Sequence, residues 1–276
     1  MGLTEPKIGG SRSRRARKSS NTRMKTITFS IFKGGTGKTT SAVSTAAALA
    51  RKGWKVLLVD LDQQASATRY FGLDPESSPN LYEVYMGIKP AALAPRPSKF
   101  GVDLLTSHPF MAAIEEALEP GDETKLSELL MPLKADYDFI IIDSPPGKAM
   151  LAFNGLAAAD LIVITASAER MAVDGVADLI NYVQKIMWSK LSLEHQELRI
   201  LFTMYRSTTT HSPAIVSNAQ KIWRENVLSM KIPHSTIFSR SYDEKKPIGF
   251  MDPKHPGALA YDVFADWLVD YEATTN

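Results

Sequence analysis

Residues 33–40 read KGGTGKTT, and this stretch decides the fold. A run of β-forming residues, TITFSIF at 26–32, precedes it, and an Ala-rich helical pattern at 39–52 follows it. Glycines let successive backbone N–H groups point at phosphate oxygens, a lysine reaches the β- and γ-phosphates, and a hydroxyl holds a metal ion. The positive end of the helix dipole adds to the attraction for an anion. Strand, loop and helix together predict a phosphate-binding loop.

Each position of this loop has an expected role. Gly34, Gly35 and Gly37 supply the turn. Lys38 supplies the charge, and Thr39 supplies the hydroxyl for Mg2+. A chance glycine-rich turn is the alternative, but the flanking strand and helix and two later acidic strand ends all favour the phosphate loop. The predicted nucleotide-binding residues of the loop are Lys33, Gly34, Gly35, Thr36, Gly37, Lys38, Thr39 and Thr40.

Two aspartates end predicted strands. Asp60 closes KVLLVD at 55–60, and Asp143 closes FIIID at 139–143. Because the carboxyl ends of parallel strands meet at one edge of a sheet, both carboxylates are expected near the γ-phosphate. One would join the magnesium shell and the other would orient water or accept its proton. A single strand-end aspartate is often only a helix cap, but two in this context predict catalytic and metal-binding roles.

Strand-like and helix-like stretches alternate along the rest of the chain. Further strands are predicted at 102–106, 161–166 and 200–204. Helices are predicted at 112–118, 124–130, 173–188, 213–225 and 258–271. Residues 72–101 contain five prolines and are expected to be irregular, with short helical pieces. The pattern predicts an α/β fold of the P-loop nucleoside-triphosphatase type, with a mostly parallel twisted sheet and helices on both faces.

Composition narrows the class of protein. The chain has 276 residues, of which 44% are hydrophobic, which suits one α/β domain with a sizeable core. No stretch reaches the roughly 18 uninterrupted apolar residues of a membrane span. The chain has no cysteine, which excludes disulfides, iron–sulfur clusters and thiolate zinc sites. These observations predict a cytoplasmic protein.

The positive charge is concentrated at the N-terminus. Residues 1–25 hold eight Lys or Arg and one acid, Glu5, although the net charge of the chain is only +2. Nothing apolar between residues 11 and 23 favours ordering the backbone, so residues 1–24 are predicted to be a disordered basic arm and residues 25–276 a single domain. A solubilising leader is the alternative to an arm that binds nucleic-acid phosphates. The candidate contacts are Arg12, Arg14, Arg15, Arg17 and Lys18.

The start of the loop departs from the usual phosphate-loop pattern. Phe32 stands where that pattern has glycine, and Lys33 opens the loop instead. This resembles the deviant Walker A loop of the ParA/MinD family, KGGxGK followed by Ser or Thr. In that family the early lysine reaches across a dimer to the phosphates of the other subunit. The resemblance implies a catalytic role for Lys33 and a tight ATP-bound dimer, whereas an ordinary surface lysine is the alternative.

Two further segments carry the resemblance. DLDQQASAT at 60–68 resembles the family's DxDPQxSAT, whose first aspartate supports attack by water, which implies that role for Asp60; Asp143 matches the Walker B acid. Gln63 replaces the family's proline and is expected to loosen the turn. KIPHSTIFSRS at 231–241 resembles a segment near the nucleotide. It implies nucleotide contacts from Pro233 and Ser235, although Ser235 stands where the family has asparagine.

The resemblance covers residues 24–267 and is nearest to short, Soj-like ParA partition ATPases. It implies an Mg2+-dependent ATPase that forms an ATP-dependent homodimer, binds DNA non-specifically at the nucleoid, and drives plasmid or chromosome partition. A ParB-type centromere-binding partner would stimulate hydrolysis. The alternatives are a nucleoid-tracking ATPase that positions a protein cargo, and a DNA-binding accessory protein with little hydrolysis. Candidate DNA contacts, each of which is otherwise a solvated charge, are Lys221 and Arg224 on one helix face, Arg240, Lys245 and Lys246.

The last predicted helix indicates whether the chain binds membranes. In the MinD branch of the family, a C-terminal amphipathic helix with basic residues on its polar face binds the membrane. Its polar face is acidic, and anionic lipid would repel it. No membrane partner is therefore expected, and the apolar stripe is interpreted as core packing. The polar face consists of Asp262, Asp266, Asp270 and Glu272. The apolar stripe consists of Leu259, Val263, Phe264, Trp267, Leu268 and Tyr271.

Overall fold

Eight strands form one sheet in the computed structural model, which describes residues 25–169, 172–193 and 196–274. Their order across the sheet is β3-β4-β2-β5-β1-β6-β7-β8. The short β3 is antiparallel to β4, and every other neighbouring pair is parallel. The strands are β1 Lys25–Ser30, β2 Val56–Asp60, β3 Arg96–Pro97, β4 Val102–Leu105, β5 Phe139–Asp143, β6 Leu161–Ser167, β7 Glu197–Tyr205 and β8 Val227–Pro233.

Helices connect these strands and cover the sheet. Within the described residues they are α1 Lys38–Arg51, α2 Ser66–Tyr70, α3 Leu81–Tyr85, α4 Met111–Ala117, α5 Lys125–Leu130, α6 Met150–Ala157, α7 Ala172–Tyr182, α8 His211–Trp223, α9 Ile237–Asp243, α10 Ile248–Met251 and α11 Pro256–Thr274. Short 3-10 turns lie at Ala91–Leu93, Met131–Leu133 and Arg224–Asn226. A π-helical segment, Val183–Trp188, continues α7.

Alternate residues of each central strand enter the cores on opposite faces of the sheet. In β5, Phe139 and Ile141 pack with α1 and α11, whereas Ile140 and Ile142 pack with α3, α4 and α5. A third apolar cluster joins β6 and β7 to α6, α7 and α8 on the same side as the second. Strands that are covered on both faces must be apolar throughout, as FIIID is. The predicted α/β class, with helices on both faces of a mostly parallel sheet, is therefore confirmed.

The sheet order places the two predicted acids beside the loop. β5 lies between β1 and β2, and Asp143 is in register with Asp60 on β2 and with Phe29 on β1. The loop that follows β1 leads directly into α1. Since these strands run parallel, their carboxyl ends form one edge, and that edge positions the candidate site.

Two predicted helices end differently from expectation. The helix predicted at 173–188 becomes π-helical at Val183, and the one predicted at 213–225 ends at Trp223. Arg224 has φ of +45° and leaves the helical path, so Lys221 and Arg224 do not share a helix face. That prediction was wrong because the chain turns sharply at the end of α8.

The apolar stripe predicted on the last helix is only partly core. Phe264 and Leu268 are fully buried in α11, and Trp267 stacks on both Phe264 and Tyr271. Leu259 and Val263, however, are 49% and 53% exposed, so core packing was the wrong interpretation for these two residues. The face that enters the core includes Ala258, Tyr261 and Ala265 instead. No helix in the described part of the chain is long and apolar enough to cross a membrane.

Candidate functional site

The glycine-rich loop encloses a cavity at the start of α1. Gly35 and Gly37 have φ of +73° and +83°, which glycine adopts without the steric cost of a Cβ. The cavity has a volume of about 330 Å³ and is lined by residues 34–40 with Asp62, Pro146 and Met204. Lys33 precedes this lining and is half-buried. Seven of the eight predicted loop residues, 34–40, therefore lie around one cavity, and Lys33 comes directly before them in the chain.

Two threonines of neighbouring strands hold the loop against the sheet. The Thr36 hydroxyl lies 3.2 Å from the hydroxyl of Thr165 in β6. The Thr203 hydroxyl in β7 donates to the Thr36 carbonyl at 2.8 Å. Thr36 is buried, so these contacts are shielded from water and fix the loop to the rigid carboxyl edge. Sequence reasoning missed both strand threonines, because their partner lies more than 120 residues away in the chain.

Lys38 is buried beneath the loop. The residue is only 7% exposed, and its Nζ donates to the Lys33 carbonyl at 3.4 Å. Burial lowers the pKa of the Lys38 ammonium, and the carboxylates of Asp143 and Asp62 oppose that change. Desolvation makes a lysine attract an anion more strongly than it would in water. The site therefore presents a positioned cation to the cavity.

The carboxyl of Asp143 is fully buried and lies beside the Thr39 hydroxyl. Neither of its oxygens makes a hydrogen bond of good geometry to a described residue. Burial raises the pKa of Asp143 well above its ordinary value, and the charge of Asp60 adds to the rise. The nearby Thr39 hydroxyl and the Lys38 ammonium act in the opposite direction. A buried carboxyl without good hydrogen bonds is costly in free energy, so this position fits a group that a cation completes.

The donor set fits magnesium rather than a metal held by protein alone. No group of three or more His, Cys, Asp or Glu that could hold a metal lies in the part of the chain that the structure describes. Mg2+ is commonly held by one or two protein oxygens, with phosphates and waters completing its octahedron. Thr39 and Asp143 lie next to each other at the loop and can supply those oxygens.

Asp60 does not face the cavity. One carboxylate oxygen accepts from the Thr68 amide and the Thr68 hydroxyl, both at 2.8 Å, and the other accepts from the Asp62 amide at 3.3 Å. Burial raises the pKa of Asp60 to about 7, against the effect of the Thr68 hydrogen bonds. Because both oxygens are engaged, the contacts make Asp60 an anchor for the β2–α2 connection.

Asp62 is the acid that lines the cavity around the glycine-rich loop, which we call the phosphate-side cavity. Its carboxylate is half-buried, accepts from the Gln64 amide at 2.9 Å, and acts electrostatically on Lys38 and Asp143. A turn closed by the Ala65 amide and the Asp62 carbonyl, at 2.7 Å, forms without the proline that Gln63 replaces. Sequence reasoning passed over Asp62, although it stands inside DLDQQASAT. The available signal was its position on the loop, two residues beyond the strand end.

A second cavity of about 470 Å³ adjoins the first. Thr39 and Thr40 line one side of it, and Pro233 and Ser235 line the other at the end of β8. Sequence reasoning thus named residues that the fold brings together from distant parts of the chain. It missed the aromatic walls and the residue Met204, which lines both cavities with φ of +51°. The aromatic residues are Tyr70, Phe238, Tyr242 and Tyr261.

Hydroxyl pairs tie the walls of this second cavity together. The Tyr70 hydroxyl lies 2.7 Å from that of Ser241, and the Tyr261 hydroxyl lies 2.9 Å from that of Ser41. The Ser235 hydroxyl oxygen lies 3.3 Å from His255 Nε2 and accepts from the Ile237 amide at 3.3 Å. A planar, partly polar ligand would meet aromatic faces and hydroxyl groups here.

The candidate DNA contacts lie outside both cavities. Lys221, Arg224 and Lys245 are exposed, whereas Lys246 is half-buried. Arg240 is exposed but pairs with Glu244 at 2.8 Å. The predicted contacts at Arg12, Arg14, Arg15, Arg17 and Lys18 fall outside the described residues.

Known proteins resemble this chain over most of its length. Residues 24–199 match the family described as an AAA domain. The sporulation initiation inhibitor protein Soj of Bacillus subtilis is 32% identical over 244 residues, covering 86% of this chain and 95% of Soj. The chromosome partitioning protein ParA of Myxococcus xanthus is 31% identical over 242 residues, covering 85% of this chain and 84% of ParA.

A solved structure resembles the fold and carries ligands. It is a cobyrinic acid a,c-diamide synthase from Mycobacterium smegmatis with bound ADP and magnesium. Its TM-score to this chain is 0.77 at 30% sequence identity, and the match covers 92% of this chain and 97% of that one.

Proposed function

Because this chain belongs to the ParA/MinD family of P-loop ATPases, we propose that it binds ATP with Mg2+ in the two adjoining cavities. One observation carries the proposal: buried Lys38 and fully buried Asp143, whose oxygens make no hydrogen bond of good geometry, meet at the glycine loop. A phosphate–magnesium pair would supply an anion for the first group and a cation for the second. Together they would offset the cost of burying both charges.

The two cavities divide the nucleotide between them. The loop backbone and Lys38 would hold the phosphates in the smaller cavity, and the base and ribose would occupy the larger one beside Pro233 and Ser235. Thr39 and Asp143 would hold Mg2+, which neutralises phosphate charge when it is bound. Residues 25–276 are proposed to act as a single domain with this site at the edge of its sheet.

For hydrolysis, we assign the water-orienting role to Asp62 rather than to Asp60. A catalytic carboxylate needs an oxygen within hydrogen-bond reach of the attacking water. Asp62 lines the phosphate-side cavity and has an oxygen that no described hydrogen bond uses, whereas both oxygens of Asp60 are engaged. Asp60 would then act as a positioning residue that fixes the segment carrying Asp62.

Lys33 is proposed to complete the site across a dimer. It stands directly before the residues that line the phosphate-side cavity, and it is half-buried. In an ATP-bound homodimer, Lys33 would reach the phosphates bound by the other subunit, so the dimer would hold ATP tightly and ADP loosely. A ligand that binds one assembly state better than another shifts the population toward it. The nucleotide would therefore act as a switch.

The proposed purpose of the switch is the partition of plasmid or chromosomal DNA. The ATP-bound dimer would bind DNA non-specifically at the nucleoid in the cytoplasm, and a ParB-type centromere-binding partner would stimulate hydrolysis and release it. The ParA relative is described by its role in chromosome partitioning. The exposed basic residues at the end of α8 and after α9 and the basic N-terminal segment are the proposed DNA contacts.

Two alternatives use the same site. A nucleoid-tracking ATPase would position a protein cargo instead of DNA, and it would share every nucleotide-binding residue. A DNA-binding accessory protein with little hydrolysis would tolerate the loss of Lys33 or Asp62. Turnover by the wild type, together with DNA binding by those two variants, therefore separates the accessory protein from both ATPase functions.

The experiment that tests the proposal is binding to non-specific duplex DNA with ATP, with ADP and without nucleotide, over a series of salt concentrations. We expect binding with ATP alone, a steep loss with salt, and no response to ATP in Lys38→Ala. Lys89→Ala, which removes an exposed lysine away from both cavities, is the control. DNA binding that is the same with ATP, with ADP and without nucleotide would contradict the proposal. A Lys38→Ala protein whose DNA binding responds to ATP as the wild type does would also contradict it.

A further inference from the structure

Exposed apolar side chains concentrate in one part of the molecule. Nine large hydrophobic residues are exposed among the described residues, and five of them lie between residues 86 and 131. Leu93 and Phe110 are 71% and 60% exposed. A single exposed apolar side chain is ordinary, whereas a group of them is informative. We call these five residues the α3–α4 patch: Met86, Ile88, Leu93, Phe110 and Met131.

The elements that carry the patch contact one another. Helix α3 contacts α4, and the turn Ala91–Leu93 contacts the turn Met131–Leu133. Their buried sides share one apolar cluster above β2 and β5. At one end, the Phe110 ring lies 4.8 Å from His108 and 5.6 Å from Tyr82. An exposed apolar surface on a packed layer of helices is typical of an interaction site.

The charges around the patch select the kind of partner. Residues 86–136, which span the patch, contain eight Asp or Glu and five Lys or Arg. Seven of the acids lie at 111–136 beside only two Lys, and Glu116, Glu119, Glu128 and Asp136 are exposed there. Lys89 and Lys99 are the exposed basic residues in the first part of the span. An acidic rim repels nucleic acid and anionic lipid, and it attracts a basic polypeptide. The combination of apolar centre and acidic rim therefore fits a protein segment with both apolar and basic side chains.

Hydrogen bonds connect the patch to the proposed catalytic acid. Ser107 follows β4 and precedes His108. Its hydroxyl donates to the Asp62 carbonyl at 2.7 Å, and its amide donates to the Thr68 hydroxyl at 3.1 Å. Thr68 in turn donates to Asp60. A contact that restrains residues 108–110 would therefore restrain the segment that carries Asp62.

We propose that the α3–α4 patch is the docking surface for a basic, apolar segment of a partner protein, and that its binding raises ATP turnover through Ser107. The proposal that the patch binds a partner depends only on the exposed apolar residues and the charges around them. The effect on turnover rests on the proposed ATPase function.

Docking is tested by fluorescence anisotropy with a labelled, short synthetic peptide in which Leu and Lys alternate. A matched peptide has Glu in place of each Lys. The full chain is compared with the double variant Leu93→Ser and Phe110→Ser. Ile222→Ser, which removes an exposed apolar residue from α8, is the control. We expect the Lys peptide to bind the wild type and the control equally, and the double variant and the Glu peptide to bind at least about tenfold more weakly. Equal affinity of the double variant, equal binding of both peptides, or no binding would overturn the docking proposal.

The effect on turnover is tested with Ser107→Ala. We expect the Lys peptide to raise phosphate release by the wild type, and Ser107→Ala to bind the peptide with unchanged affinity but to lose the rise. A full rise in Ser107→Ala, or no rise in the wild type despite binding, would overturn the connection. If the wild type releases no phosphate under any condition, the proposed ATPase function fails instead, and the anisotropy result still decides docking.

Discussion

Asp60 and Asp62 stand two residues apart, yet the fold gives their carboxyl groups different environments. Asp60 is the last residue of β2 and is held in the interior by hydrogen bonds from Thr68. Asp62 lies in the following turn, at the wall of the phosphate-side cavity. The same side chain therefore anchors a segment at one position and is available to a ligand at the other. Two substitutions can separate these roles.

We predict that Asp62→Asn retains ATP binding but lowers turnover at least about 100-fold, because the attacking water loses its acceptor. Asp60→Asn keeps an oxygen that can accept from Thr68, so it should retain more turnover than Asp62→Asn. Phosphate release and the affinity for a fluorescent ATP analogue measure the two effects. Asp136→Asn, an exposed acid distant from the cavities, is the control. The reverse order of turnover would return the water-orienting role to Asp60.

Buried carboxyl groups should also set how the stability of the nucleotide-free protein depends on pH. Burial raises the pKa of Asp60 to about 7 and the pKa of Asp143 well above its ordinary value. Between the unfolded pKa, about 4, and these folded values, the folded state binds more protons than the unfolded state. The stability from these groups is therefore fully present at low pH and is lost as pH rises through about 7. We expect the free energy of unfolding, measured with urea, to fall over that range.

Asp143→Asn is the variant that isolates this effect. It removes the buried carboxyl, so the nucleotide-free protein should lose part of its pH dependence and gain about 1–3 kcal/mol at neutral pH. It should also lose the Mg2+-dependent part of ATP binding, because a neutral amide is a poor magnesium ligand. A variant that is less stable than the wild type at neutral pH would contradict this account.

At the scale of elements, the end of α9 combines a strained backbone with a candidate DNA contact. Lys245 has φ of +49°. The Lys245 amide donates to the Tyr242 carbonyl, and the Lys246 amide donates to the Ser241 carbonyl, both at 3.0 Å. These are the hydrogen bonds of a Schellman motif, and its left-handed position usually holds glycine. A lysine there costs the fold free energy that a glycine would not.

Lys245→Gly should therefore raise the free energy of unfolding by about 1 kcal/mol, since glycine adopts this conformation without a Cβ penalty. Lys245→Ala should not, because it keeps the penalty. If Lys245 contacts DNA, both variants should weaken ATP-dependent DNA binding to a similar extent. Urea unfolding and DNA titration check the two parts. A pair of variants that bind DNA as the wild type does would remove Lys245 from the proposed surface.

The elements that the sequence analysis found share one property. The central strands and α1 have continuous apolar or Ala-rich patterns, so local sequence is enough to predict them. Helix α6 was missed because MLAFNGLA contains Gly155, a poor helix former. That glycine is explained only by tertiary packing, because a Cβ there would lie 3.0 Å from Leu61. β8 was missed because it is an edge strand with mixed polarity and an irregular register.

The candidate site divides in the same way. The loop and the strand-end acids follow from local pattern, whereas the choice between Asp60 and Asp62 depends on hydrogen bonds from Thr68 and Ser107. The walls of the larger cavity come from α1, α2, α9 and α11, which only the complete fold brings together. Contacts between residues far apart in the chain have no local signal in one sequence.

At the scale of the whole molecule, charge is divided between the N-terminal segment and the rest of the chain. Residues 1–25 hold eight of the 32 Lys and Arg but only one of the 30 Asp and Glu. The remaining residues are therefore net acidic, and as a body they repel DNA. Non-specific binding to DNA then requires local clusters of basic residues, the N-terminal segment, or both. The salt dependence of binding can measure the share of the N-terminal segment.

Each phosphate that a protein neutralises steepens the plot of log K against log salt by about 0.9. Residues 1–23 contain seven basic residues, which are Lys7, Arg12, Arg14, Arg15, Arg17, Lys18 and Arg23. Deleting residues 1–23 should therefore lower the slope of ATP-dependent DNA binding by up to about 6, without changing ATP affinity. A chain of full length with these seven residues replaced by Ser should behave as the deletion does, because charge rather than length is the cause. An unchanged slope in both proteins would mean that the segment is only a leader and that DNA is bound entirely by the basic residues of the C-terminal third.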